Sequence, residues 1–148
     1  MYLCPQPRIL ELKKGMLHFP VGTMPYLEKR KTPELSEKES YRINIDENGV
    51  LIEGADDRGL YYGELTLKQL MLNYRGCLPY IYIYDEPEFA YRGFMIDSCR
   101  HFFKADEIKK MIDGAALFKF NKFHFHLSDD QGFRLKWKLT PCLQVLAL

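Results

Sequence analysis

Two short strand-like runs in the second half of the chain each end in side chains able to do chemistry. Gly93-Phe-Met-Ile-Asp97 is apolar up to its terminal carboxylate, and Arg100 and His101 follow closely. Lys122-Phe-His-Phe-His-Leu127 runs straight into Ser128-Asp129-Asp130. An arginine offers a planar fork of N–H donors that suits vicinal hydroxyls or a carboxylate. An aspartate at the neighbouring strand end could hold that arginine, a histidine or a sugar hydroxyl. A plain salt bridge accounts for the same residues without any ligand. Side chains alternate along a strand, so His124 and His126 share a face. That pair is open to two readings: hydrogen-bonded polar residues of an interior, or two ligands of a zinc-type site. The second needs further ligands from carboxylates or from a part of the protein outside this sequence, because His18 and His101 are the only other histidines.

The elements around these groups are legible. Between the two runs, residues 105–118 place Ile108, Met111, Ile112, Ala115 and Phe118 on one helical face, and Asp106 and Glu107 suit a first turn. Strand, helix and strand make a β-α-β unit, whose usual right-handed crossover leaves the strands parallel. Functional groups in parallel α/β folds gather at the carboxyl ends of strands, where these lie. Upstream, Tyr41-Arg-Ile-Asn-Ile45 alternates, Asn48-Gly49 signals a turn, and Val50-Leu-Ile-Glu53 returns as a hairpin partner. Asp56 and Asp57 suit the cap of a helix whose apolar positions are Leu60, Tyr61, Leu65, Leu67, Leu70 and Met71, with Gly76 as its C′ glycine. Tyr80-Ile-Tyr-Ile-Tyr84 reads as a strand and residues 22–40 as an exposed loop. Asp85-Glu-Pro-Glu88 reads as a domain boundary, dividing the chain into 1–87 and 88–148.

Composition narrows the classes of function. With 148 residues, 47% apolar and 28% charged, the chain can bury a core. Its net charge of +1 carries no basic stripe, which argues against nucleic acid as a partner. No apolar run reaches the ~20 residues of a membrane helix, so no membrane partner is expected. Cys4, Cys77, Cys99 and Cys142 form no C-x-x-C pair and read as reduced, mostly buried thiols. Met1 to Pro7 shows no charged segment leading into an apolar one, so no signal peptide is visible and a cytoplasmic location is expected.

The motifs themselves are more specific than their spacing. Tyr91-Arg-Gly-Phe-Met-Ile-Asp-Ser-Cys-Arg-His-Phe102 resembles the entry strand of the family 20 glycoside hydrolases, the β-N-acetylhexosaminidases. Lys119-Phe-Asn-Lys-Phe-His-Phe-His-Leu-Ser-Asp-Asp-Gln-Gly-Phe-Arg134 resembles the same family's next strand. Asp57-Arg-Gly-Leu-Tyr-Tyr-Gly-Glu-Leu-Thr-Leu-Lys-Gln-Leu70 resembles the helix of its accessory domain, and Pro5-Gln-Pro7 its opening. The resemblance implies an α/β chain: a small α+β accessory domain, then the first β-α-β unit of an incomplete (β/α)8 TIM barrel. It implies retaining hydrolysis of terminal N-acetylglucosamine or N-acetylgalactosamine on glycans, with the substrate's acetamido oxygen as nucleophile and no cofactor or metal. Arg100 is similar to the arginine that binds ring hydroxyls. Asp129 is similar to the aspartate that, through a histidine further along the chain, orients the acid glutamate. Asp97, His101, His126 and Asp130 match motif positions that support the others.

Some features depart from that pattern. The family's catalytic Asp-Glu pair lies several strands further on. The pairs here, Asp46-Glu47, Asp85-Glu86 and Asp106-Glu107, fall in a turn, a linker and a helix start. Trp137 matches no pocket tryptophan, and from Lys136 to Leu148 the resemblance fades, which reads as a truncated or frame-shifted gene. The expected outcome is a polypeptide that does not hydrolyse glycosides by itself, stable in its first half and poorly stable from residue 86 onward. Two rivals stand beside it: a metal-dependent barrel hydrolase using His124 and His126, and a non-catalytic sugar-binding module retaining Arg100 and Asp129.

Overall fold

The computed structural model describes residues 2–133; residues 134–148, among them Trp137 and Cys142, lie outside the described residues. The chain forms two compact units, residues 1–90 and 91–148.

The first unit is a five-stranded sheet with one helix packed against it. Its elements are β1 (Ile9–His18), β2 (Leu27–Lys31), β3 (Tyr41–Asp46), β4 (Gly49–Gly54), α1 (Asp57–Asn73) and β5 (Cys77–Asp85). The strands lie in the order β1-β5-β3-β4-β2, all neighbours antiparallel except β2 with β4. The β3–β4 turn closes as its sequence suggests, with Asp46 Oδ1 accepting from the Asn48 N–H at 2.8 Å. Asp56 caps α1 by accepting from the Gly59 N–H at 2.8 Å. Two glycines let that helix approach closely: a Cβ on Gly59 would stand 2.2 Å from the Ser40 carbonyl oxygen, and one on Gly63 2.5 Å from Ile52 Cγ2. Ile43, Ile45, Ile52, Leu67, Leu70, Ile81 and Ile83 are fully buried between helix and sheet. Inside that core the Tyr41 hydroxyl donates to Asp85 Oδ2 at 3.0 Å and meets Thr66 Oγ1 at 2.6 Å. Burial first, and Asp85 second, push the Tyr41 pKa well above the usual phenol value.

Several expectations for this half need correction. Residues 22–40 are not one exposed loop: they contain β2, and Thr32, Glu39 and Ser40 are buried. Leu-Glu-Lys-Arg-Lys is polar because β2 is an edge strand, and its cations pair with Glu64, Glu53 and Asp57. Tyr62, not Tyr61, faces the core, since Tyr61 is 48% exposed. Gly76 is not the C′ residue of α1: the helix is followed by an extended Tyr74, and Gly76, at φ 74°, turns the chain into β5. Nor are the thiols of the described residues mostly buried, for Cys4 is exposed, Cys77 half-buried and Cys99 enclosed.

The second unit consists of β6 (Gly93–Asp97), α2 (Ala105–Leu117), β7 (Lys122–His126), and a small hairpin of β8 (Ser128–Asp129) and β9 (Gly132–Phe133). Strands β6 and β7 are parallel and open side by side, with the Arg92 N–H donating to Asn121 Oδ1 at 3.0 Å and the Asn121 N–H to the Arg92 carbonyl at 2.9 Å. Phe94 and Phe123 stack with centroids 4.8 Å apart, and Phe123 and Phe125 at 5.3 Å. At the start of α2 the Lys104 N–H donates to Glu107 Oε2 at 2.9 Å, satisfying an otherwise orphaned donor. The predicted apolar face of α2 is real in spacing but not in burial. Ile108 is enclosed, whereas Met111, Ile112 and Phe118 are exposed.

Candidate active site at the ends of two parallel strands

Strand register assembles the site. In β6 and β7, Met95 lies opposite His124 and Asp97 opposite His126. Alternation then puts the phenylalanines of β7 on one face and its histidines on the other. A one-residue slip would set Phe125 beside Asp97 and dismantle the arrangement.

Beyond Asp97 the chain turns tightly. Asp97 Oδ1 accepts from the Cys99 N–H at 3.0 Å and the Arg100 N–H at 3.1 Å. The Cys99 thiol donates to the Gly132 carbonyl at 3.0 Å, pinning the β8–β9 hairpin to this turn. Arg100 is thereby aimed between the two strand ends. Its Nη1 donates to Asp97 Oδ2 at 2.5 Å, its Nη2 to Asp129 Oδ2 at 2.9 Å, and its Nε to Gln131 Oε1 at 2.9 Å. His126 closes the ring, with Nδ1 3.3 Å from Asp97 Oδ1 and Nε2 3.5 Å from Asp129 Oδ2.

These contacts set the charges. Hydrogen bonds from the Arg100 backbone and side chain lower the Asp97 pKa to about 2. The backbone N–H of Asp130, reinforced by Arg100, holds Asp129 below the usual carboxylate range. Arg100 is raised in turn, chiefly by Asp97. Both acids are therefore anions at neutral pH.

Five of the six site residues named from sequence come into view at this cluster in different ways. Asp97, Arg100, His126 and Asp129 touch one another, while Asp130 contributes its backbone N–H to Asp129. His101 stands exposed beside the turn and joins none of these contacts. His124 and His126 do share a face, with ring centroids 6.2 Å apart. Both nitrogens of His126 face carboxylates, Nδ1 that of Asp97 and Nε2 that of Asp129. Among the described residues no set of three His, Cys, Asp or Glu side chains is arranged to hold a metal ion. Sequence reasoning missed Gln131, because an amide in a polar turn looks like solvent-exposed filler until the hairpin brings it to Arg100.

An arginine fixed by carboxylates at paired strand ends, with two N–H donors left unpartnered among the described residues, is suited to recognising hydroxyl groups, as in enzymes that act on carbohydrates. Comparison with known proteins agrees with that class. Residues 89–147 match the catalytic domain of glycosyl hydrolase family 20, and residues 17–86 match domain 2 of the same family. A β-hexosaminidase of Porphyromonas gingivalis is 43% identical over 115 residues, covering 72% of this chain and 15% of the relative. One from Akkermansia muciniphila is 34% identical over 148 residues, covering 98% and 29%. The crystal structure of an exo-β-N-acetylglucosaminidase from Vibrio harveyi in complex with N-acetylglucosamine superposes with a TM-score of 0.84 at 25% identity, covering 98% of this chain and 28% of that one. The chain belongs to glycosyl hydrolase family 20. It spans less than a third of the length of either curated relative. The match to the catalytic domain continues to residue 147, past Lys136, where the resemblance was expected to fade.

Proposed function

We propose that this chain carries the accessory domain and the opening β-α-β unit of the (β/α)8 barrel of a retaining β-N-acetylhexosaminidase. Its substrates are glycans ending in N-acetylglucosamine or N-acetylgalactosamine, cleaved with the acetamido oxygen of the substrate as nucleophile. Arg100 binds adjacent ring hydroxyls through the N–H groups that Asp97, Asp129 and Gln131 leave free. Asp129 has a second task, orienting the acid glutamate of the family through an intervening histidine. Asp97 and His126 hold these two in place from the strand ends.

The observation that carries this reading is the fixed Arg100–Asp129 pair at 2.9 Å beside the ends of two parallel strands. The placement of its acidic pairs favours the polypeptide being inactive alone. Its Asp-Glu pairs lie at the β3–β4 turn, the end of β5 and the first turn of α2, and none is a partner of Arg100. Without a general acid beside the sugar, the leaving-group oxygen departs unprotonated, forfeiting on the order of 10²–10⁴ in rate.

Isothermal titration of the 148-residue chain with N-acetylglucosamine tests the binding half of the proposal. Weak binding that Arg100→Ala abolishes is expected, and binding indifferent to that change would refute the role of Arg100. An aryl N-acetylglucosaminide assay tests the catalytic half, where release of the aryl alcohol above the buffer rate would overturn inactivity.

A further inference from the structure

We infer that Gln131 is a positioning residue for Arg100, setting the plane of the guanidinium and so the direction of the two N–H groups offered to a sugar. The inference rests on Arg100 being the hydroxyl-binding group proposed above. A guanidinium carries five N–H donors. Among the described residues three are taken, by Asp97 on Nη1, Asp129 on Nη2 and Gln131 on Nε, which leaves one on each terminal nitrogen. Anchors on the two terminal nitrogens alone define a line, about which the planar group can rock. The third anchor, on Nε, removes that freedom. A vicinal diol presents two oxygens at fixed separation, so rocking of the plane spoils both hydrogen bonds together.

The chemistry of the side chain fits the task. Asp97 and Asp129 already set two carboxylates against one cation, and an amide adds the third acceptor without a third negative charge. Gln131 reaches Arg100 because it sits in the turn of the β8–β9 hairpin, whose β8 strand also supplies Asp129. The Cys99 thiol holds that hairpin at the Gly132 carbonyl. One small hairpin thus delivers two of the three anchors, and the turn that bears Arg100 delivers the other.

The test is NMR of the ¹⁵N-labelled 148-residue chain at mildly acid pH, following the Arg100 Nε–H signal, identified by its loss in Arg100→Lys. Gln131→Met keeps the length of the side chain but removes the acceptor. It is expected to speed exchange of that proton about tenfold and to weaken N-acetylglucosamine binding by a similar factor, following a lost charge-assisted hydrogen bond of ~1.5 kcal/mol. Gln131→Glu, which restores an acceptor, is expected to restore slow exchange. Should methionine unfold the hairpin, seen as loss of the amide signals of residues 128–133, Gln131→Asn, too short to reach Nε, serves in its place. An Nε–H signal unchanged in position and exchange rate by removal of the acceptor would overturn the inference. Release of that proton in Gln131→Met, together with no sugar-dependent shift in any variant, would uphold the positioning role and instead sink the proposed binding by Arg100.

Discussion

The two units of this chain order their residues by different means. In the first, one helix seals a five-stranded sheet, and the isoleucines of β3 and β5 are wholly removed from water. In the second, Ile96, Cys99 and Ile108 are the enclosed apolar residues among those described, whereas Met95, Phe102, Met111, Ile112 and Phe118 are exposed. Its strand ends are organised instead by a ring of charged hydrogen bonds around Arg100. The difference teaches that a well-formed site is not evidence of a stable unit. Polar contacts at exposed groups contribute little to folding but fix direction, whereas burial stabilises by roughly 25 cal/mol for each Å² of apolar surface.

Hydrogen exchange offers the largest contrast. The amides of Ile43 and Ile83, in central strands, should exchange near the global unfolding limit of the first unit. Those of Phe123 and Phe125, in a two-stranded sheet, should exchange about a thousandfold faster, equivalent to ~4 kcal/mol less protection. Equal protection in both units of a monomer would erase the distinction drawn here.

Side-chain truncation sharpens the same contrast on a smaller scale. Leu70→Ala empties a fully buried site under α1 and is expected to cost ~3 kcal/mol in urea unfolding of the first unit. Ile112→Ala, on a helix face that is 39% exposed at that residue, should cost under about 1 kcal/mol. A comparable loss at both positions would mean that the α2 face is covered in solution.

What could be read beforehand follows the same division. Elements whose residues alternate or recur about a core, such as β3, β4, α1 and β7, were legible because burial writes its period into the sequence. Edge strands were not. β2 reads Leu27-Glu-Lys-Arg-Lys31 because an exposed edge favours charge, so its polarity hid a strand inside an expected loop. The phase of α1 was misjudged at Tyr61 and Tyr62 because adjacent tyrosines give period analysis no preference, and glycines at 59 and 63 mark the contact face instead. At the site, Asp97, Arg100, His126 and Asp129 were legible as groups at strand ends. Gln131 was not, since its role depends on a two-residue strand too short to leave a pattern.

The smallest expected effect is confined to the site. The Asp97 pKa, about 2, lies below the ~3.9 of an unfolded aspartate, so ionised Asp97 favours the ordered state. That contribution is complete above pH ~4 and is lost as pH falls through about 2, when protonation removes the charge that Arg100 Nη1 and the turn N–H groups of Cys99 and Arg100 engage. Acidification from pH 5 to pH 2 should therefore shift the Cys99 and Arg100 amide resonances with a midpoint near 2. A midpoint near 4 for the Arg100 amide would show that its carboxylate partner is not held as described. The ring of charges would then be a loose surface cluster, and the second unit would lack the polar order that distinguishes it from the first.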